Sequence, residues 1–339
     1  MALLTRNTFD PLENLFNRLG VIRTVKQTTD AAKAEKNLAD ALENGQPVLV
    51  WADRFSMPYY AYDGLLGEGM YEMIPLVVFG RDAHKGTVEV ADQSRLPMRV
   101  AESDLTQARG RVKKVKFRLM TLSLPSFEKL AQGVASGIRA CIQSFHSSPV
   151  KGYVNNFGFA AYLRWADVLT GDKDKQSWNK IFPPGRPMFS GLASAFDRIE
   201  LFGTGGAASR PLFADFLEET SLILDKPALR ESAAQFRTLA PQWSDLSIAL
   251  LPDDQPLFKE TRLLLLQKRD LFWEQGGSAK DEIVQINARL NAIRSAMETD
   301  FPLSDEDAIA LKQNLREHVL RIHDAEKVAI TDLEKALIL

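Results

Sequence analysis

One cysteine in 339 residues, Cys141, excludes an internal disulfide framework and any multi-cysteine metal site. That usage fits a reducing, cytoplasmic setting. An excess of charge of one sign is also missing: 42 Lys and Arg stand against 44 Asp and Glu, a formal net charge of −2, so no global field gathers nucleic acid or anionic lipid. No stretch of about 18 apolar residues occurs, and the opening MALLTRNTFDPLENLF lacks a basic start followed by a sustained apolar segment. Neither a signal peptide nor a membrane span is read. What is present is an ordinary folded composition, 45% hydrophobic and 25% charged, for which one or two domains are expected.

The first third alternates helix and strand patterns. Asp10 as cap, Pro11 at the first helical position and Gly20 at the end frame a helix that spaces Leu12, Leu15, Phe16 and Leu19 on one face. Val21–Val25 reads as a strand, and Asp30 opens a helix through Leu42 that Asn44-Gly45 closes. Pro47–Ala52 and Ile74–Gly80 are apolar runs of buried-strand type, and Thr87–Asp92 forms a hairpin with the second across Lys85-Gly86. A last strand is predicted over Arg111–Leu119, its basic residues making a solvated face. From Ser123 onward the signals are helical: 127–145, 157–169, 187–202, 211–224, 228–251, then 257–297 with a break at Gly276-Gly277, and 304–337. These patterns divide the chain into an N-terminal domain over 1–122, a helical domain over 123–252, and long C-terminal helices over 253–339 that pack on the helical domain.

Catalytic patterns are sparse. Cys141 lies among Ile138, Ile142 and Phe145 on an apolar helix face, where a thiol behaves as a small hydrophobe, and His146 at i+5 does not share its face. His318 and His323 are also five apart, not the i, i+4 pair of a helical metal site, and His84 sits in a turn. No Gly-x-Ser-x-Gly elbow occurs. The glycine-rich stretch Gly203-Thr204-Gly205-Gly206 joins two helices, not a strand and a helix, so the nucleotide fingerprints fail. The glycines allow a tight helix crossing, which Glu200 and Arg210 could clamp by an ion pair, or they form a ligand or partner contact. Trp165, Trp178, Trp243 and Trp273 read as helix-packing residues. No metal and no cofactor is expected.

Gly45–Asp53, Met57-Pro58-Tyr59-Tyr60, Leu76–Gly80 and Val88–Asp92 follow one another in an order that resembles the butirosin biosynthesis protein H family. Phe157-Gly158-Phe159, Arg164-Trp165-Ala166, Ile199-Glu200, Gly203–Gly206 and Phe216–Glu219 are similar to the helical domain of unknown function that follows it there. The resemblance implies an α+β protein: a papain-like (cysteine-peptidase-like) mixed N-terminal domain, here truncated, followed by a larger all-α domain with long terminal helices. It also implies descent from an enzyme that transfers an acyl group from a carrier-protein thioester to an amine. The family pattern carries a cysteine on an N-terminal helix, a histidine at the start of the strand that here begins at Ile74, and an acid at the end of the next strand. Asp92 matches the acid. Ile74 or Pro75 stands where the histidine belongs, Tyr60 where a second histidine would fall, and the segment for the nucleophile is expected to be absent.

Thiol acyl transfer needs a thiolate and a base that takes and returns its proton. Their loss leads to the expectation of a catalytically degenerate relative that acts as a non-catalytic interaction or assembly subunit, binding a protein partner, an acyl-carrier protein or another copy of itself. The alternative expectation is an acyltransferase or amide-forming enzyme whose nucleophile comes from a second chain, with Asp53, Tyr59, Tyr60 and Asp92 lining the pocket. An emptied cleft would also remain a concave site for a small molecule.

Overall fold

The computed structural model describes residues 11–60, 71–148, 151–201 and 205–338. Along the chain come α1 (Pro11–Leu19), β1 (Arg23–Lys26), α2 (Ala31–Glu43), β2 (Val48–Asp53), β3 (Met73–Asp82), β4 (Thr87–Ala91), β5 (Met98–Ala101), α3 (Glu102–Gly110) and β6 (Leu119–Leu122). Helices alone follow: α4 (Leu130–His146), α5 (Gly158–Thr170), α6 (Trp178–Ile181), α7 (Arg186–Glu200), α8 (Arg210–Ile223), α9 (Ala228–Leu250), α10 (Pro256–Gln275), α11 (Lys280–Ala296) and α12 (Asp305–Ile338). The protein is therefore of mixed α+β class, with an N-terminal antiparallel sheet and a larger helical region. Two compact units result. Val21–Pro125 with Leu266–Asn291 make a sheet unit, and Ser126–Leu265 with Ala292–Leu339 and the segment ending at Gly20 make a helical unit. The end of α10 and the start of α11 group with the sheet unit.

Among the described residues of the sheet unit six strands lie in the order β1-β6-β2-β3-β4-β5, every neighbouring pair antiparallel. Alternation puts Val48, Val50 and Ala52, Leu76 and Val78, Val88 and Val90, and Met98 and Val100 into one core with Leu38 and Ala41 of α2 and Leu105 and Ala108 of α3. Val77 and Phe79 are exposed on the opposite face, so β3 is covered on one side only, as antiparallel sheets allow. This corrects the buried-strand reading of Ile74–Gly80. Asp30 caps α2 as expected, its Oδ1 accepting from the Lys33 N–H at 2.8 Å.

The strand expected over Arg111–Leu119 is not formed. Lys113–Val115 make a 3-10 turn, Lys116 and Phe117 take left-handed backbone at φ 54° and 45°, and β6 begins only at Leu119. Two successive left-handed residues break any extended run, so the basic residues lie on a loop. β5 and α3 have no counterpart in the sequence reading, and β1 starts two residues later than expected.

In the helical unit the expected helices form within a few residues. α8 packs on α9, and α12 packs on α9, α5 and α4. Ile138 and Ile142 of α4, Leu217 of α8, Phe236 and Leu239 of α9, and Ile330 and Leu333 of α12 share its core. A Cβ at Gly158, the first residue of α5 (φ +54°), would overlap the Phe145 carbonyl oxygen, so only glycine lets α5 start against α4. Asp10, the expected cap of α1, lies outside the described residues. Trp165, Trp178 and Trp243 are buried, whereas Trp273 is 39% exposed with the Arg95 guanidinium over its ring, a surface position rather than a packing one. Leu333→Ala is expected to lower the unfolding free energy by about 2–5 kcal/mol. Leu212→Ala, at an exposed position of α8, should change it by about 0.5 kcal/mol or less. Equal effects in urea denaturation would contradict this core.

Candidate functional site

Of the four pocket candidates of the sheet unit, Tyr59, Tyr60 and Asp92 come together, while Asp53 bonds to other groups. Asp53 ends β2 and is 1% exposed. Its Oδ1 accepts from the Glu72 N–H at 2.8 Å and the Phe55 N–H at 3.4 Å, and its Oδ2 accepts from the Ser56 hydroxyl at 2.6 Å. Those bonds cap the turn Arg54–Ser56 and tie it to the start of β3, so this carboxylate is committed to backbone.

Asp92 directly follows β4, as the hairpin dictates. Its Oδ2 accepts from both phenols of the short turn Pro58–Tyr60, Tyr60 at 2.8 Å and Tyr59 at 3.0 Å. Phe272 of α10 stacks on both rings, with centroids 5.0 Å from Tyr60 and 6.2 Å from Tyr59. The Arg54 guanidinium lies over the Tyr60 ring at 4.7 Å while Nη2 donates to Gln93 Oε1 at 2.6 Å and Nη1 pairs with Glu72 at 3.2 Å. Burial first, and then the Asp92 carboxylate, hold the Tyr59 phenol above the ordinary tyrosine range. Burial raises Tyr60 too, with Arg54 pulling the other way. Both phenols are thus neutral donors at pH 7, and neither is a ready base or nucleophile. Ile74 faces Ala52 across the β2–β3 ladder and carries no proton to exchange. Phe272 and Arg54 are members of this cluster without a signal in the sequence reading.

The helical unit holds a second cluster, built on the glycine-rich turn. Gly203 and Thr204 lie outside the described residues. Gly205, Gly206, Ala207, Ala208 and Ser209 all have positive φ, from 46° to 90°, a left-handed turn of five residues. Left-handed backbone costs a non-glycine residue roughly 1–2 kcal/mol, so the last three need an outside hold. Glu200 and Arg210 supply it through separate partners. Glu200 Oε2 accepts from the Ala207 N–H at 3.1 Å and Oε1 from the Ser247 hydroxyl at 2.8 Å, which puts a carboxylate of the chain itself on the turn. Arg210 donates from Nη1 to the Ala208 carbonyl at 2.6 Å, and its Nε and Nη2 both reach Glu326 Oε1 at 2.5 Å. A groove of about 480 Å³ opens beside the turn, lined by Glu200, Gly205, Gly206, Ala207, Arg237 and Pro241.

Glu326 is fully buried and is the hub of this network. Besides Arg210 it accepts from Trp243 Nε1 at 2.8 Å and from the Tyr162 hydroxyl at 2.6 Å, and that hydroxyl accepts in turn from Arg210 Nη2 at 3.1 Å. The guanidinium also lies over the Trp243 ring at 5.0 Å. Cys141 packs against the same core, and burial pushes its thiol up to about 11, which removes it as a nucleophile at pH 7. The sequence itself carries a signal for Glu326. Leu315, Val319, Ile322, Glu326, Ile330, Leu333 and Leu337 recur at three- and four-residue steps, so Glu326 stands inside the apolar face of α12. Among the described residues no group of three or more His, Cys, Asp or Glu is placed to hold a metal ion, and no helix is long and apolar enough to cross a membrane.

Fold and sites define an α+β protein in which an antiparallel sheet unit ends in an Asp92–tyrosine clamp and a helical unit is centred on a buried Arg–Glu pair. The family model for butirosin biosynthesis protein H, N-terminal, matches residues 1–93, and the one for a domain of unknown function (DUF4872) matches residues 103–255. The chain therefore matches a butirosin biosynthesis protein H-like family with a following domain of unknown function. A comparison with curated proteins finds no match.

Two outcomes follow. Because the folded pKa values of Tyr59 and Tyr60 are raised, their contribution to stability is fully present below the unfolded tyrosine value of about 10 and is lost as pH rises above it. The urea midpoint of wild type should therefore fall more steeply in that range than that of Tyr59→Phe/Tyr60→Phe; parallel profiles would contradict the clamp. Glu326→Ala strands a buried guanidinium and should cost about 3–5 kcal/mol, against about 1 kcal/mol for Tyr162→Phe, both read by urea denaturation.

Proposed function

We propose that the protein is a catalytically degenerate relative of a carrier-protein-dependent acyltransferase and works as a non-catalytic interaction or assembly subunit. The observation that carries this reading is the engagement of Asp92. In the pattern implied by the family resemblance, this acid orients a histidine for a thiol. Here its Oδ2 accepts from two neutral phenols stacked on Phe272, and Ile74 stands at the histidine position. An acid that orients phenols supplies packing and rigidity rather than proton transfer. Cys141 adds nothing to the chemistry, since its thiol is held protonated by burial.

Without a base at the position of Ile74 a thiol would have nothing to take its proton, because nucleophile and base act as a unit. A folded, well-bonded frame that lacks this base favours a role in binding. The partner class is another protein, with an acyl-carrier protein as the member that the family resemblance of the sequence implies.

The test is transfer from an acyl-carrier-protein thioester to an amine, measured with the purified chain alone. No turnover above the uncatalysed reaction is expected, and Asp92→Asn should lower stability by about 1–3 kcal/mol, the cost of a weakened acceptor for buried hydroxyls. Chain-dependent turnover that both Asp92→Ala and Tyr60→Phe abolish, in proteins that remain folded, would overturn the reading in favour of an enzyme.

A further inference from the structure

Arg109, in the last turn of α3, is 1% exposed, and its Nε and Nη1 have no hydrogen-bond acceptor among the described residues. Only Nη2 is engaged, donating to the Phe117 carbonyl at 2.9 Å, and the Phe117 ring lies 5.8 Å from the guanidinium. A buried cation with idle donors is costly, and a methylene chain of the same length would be cheaper there. Burial pushes it down to about 10, with Glu35 of α2 the charge that attracts it, so it remains a cation at pH 7.

The chain that covers it is the loop misread as a strand. Arg111, Lys113, Lys114 and Lys116 are all exposed on it, and none has an acidic partner among the described residues. Elsewhere in the protein Arg81, Arg99 and Arg237 at the surface are paired with acids. The covering residues Lys116 and Phe117 are the two with left-handed backbone, pinned by the Thr28 N–H donating to the Lys116 carbonyl at 2.9 Å. Strain in the cover, unpaired cations outside it and an unpaired cation beneath it converge on one loop.

We propose that loop 111–118 and Arg109 form a binding site for a small soluble compound carrying phosphate groups, the exposed cations capturing the anion and Arg109 receiving it when Phe117 turns aside. A protein's acidic surface would engage the outer cations alone and leave Arg109 without a purpose. A duplex backbone would likewise engage the outer cations alone, and a single strand would want aromatic faces for stacking, whereas the one aromatic of this loop covers Arg109. Several cations with mobile heads and one guanidinium fork suit a multiply charged phosphate group.

The experiment is calorimetric titration of the full chain with tripolyphosphate, at an ionic strength held constant with sodium chloride. Saturable binding is expected, weakened by about tenfold or more, the worth of a charge-assisted contact, in Arg109→Met and in Lys113→Ala/Lys114→Ala/Lys116→Ala. Arg109→Met should also melt at a higher temperature than wild type, since it removes an unpaired buried charge. Absence of saturable binding, wild-type affinity in Arg109→Met, or an Arg109→Met protein less stable than wild type would each overturn the site. The last of these makes the guanidinium a structural anchor. None of the outcomes depends on whether the chain transfers acyl groups.

Discussion

A carboxylate taken out of water must be met by donors, and donors close enough to meet it have to come from several elements at once. Each unit is organised around that constraint. In the helical unit Glu326 of α12 draws Tyr162 from α5, Arg210 from the start of α8 and Trp243 from α9 to one point. Arg210 then holds the left-handed turn at Ala208, so backbone that is unfavourable in isolation persists because a fully buried charge requires its partner there. In the sheet unit Asp92 does the same on a smaller scale, fixing the turn of Tyr59 and Tyr60 against β4 and giving Phe272 two rings to stack upon.

This use of carboxylates bears directly on chemistry. An acid serves catalysis when its hydrogen bond sets the tautomer of a histidine, and it serves structure when it saturates neutral donors. Asp92 and Asp53 both accept from neutral donors, one from phenols and one from backbone N–H groups and a serine hydroxyl. Glu200 is a third case. Its carboxylate occupies the glycine-rich turn at the Ala207 N–H, and an anionic ligand there would have to displace it. Each of these three carboxylates is thus met by donors of the protein itself.

Much of the fold was legible because it is written in local signals. Pro11 and Gly20 bracket α1, and the Gly276-Gly277 pair divides what would be one long helix into α10 and α11. The hairpin of β3 and β4 follows from its turn. What was missed lacks such signals. α3 starts after Ala101 with no side-chain cap, and β5 before it is only four residues long. The basic segment after α3 carries apolar residues at near-alternate positions, yet no residue type announces that Lys116 and Phe117 turn left-handed. The site was half legible. Asp92 and the tyrosines were singled out together, but their hydrogen bonds and Phe272 depend on residues far apart in the chain. Glu326 shows the opposite case, a charge inside an apolar helical repeat whose burial the spacing alone could have announced.

The most direct measurement is native mass spectrometry of the tagged protein taken gently from its own source cells. The account predicts a complex with a different chain in fixed stoichiometry, surviving in Asp92→Asn protein that remains folded. A lone monomer that turns over an acyl-carrier thioester, and stops doing so when Asp92 is changed, would contradict it.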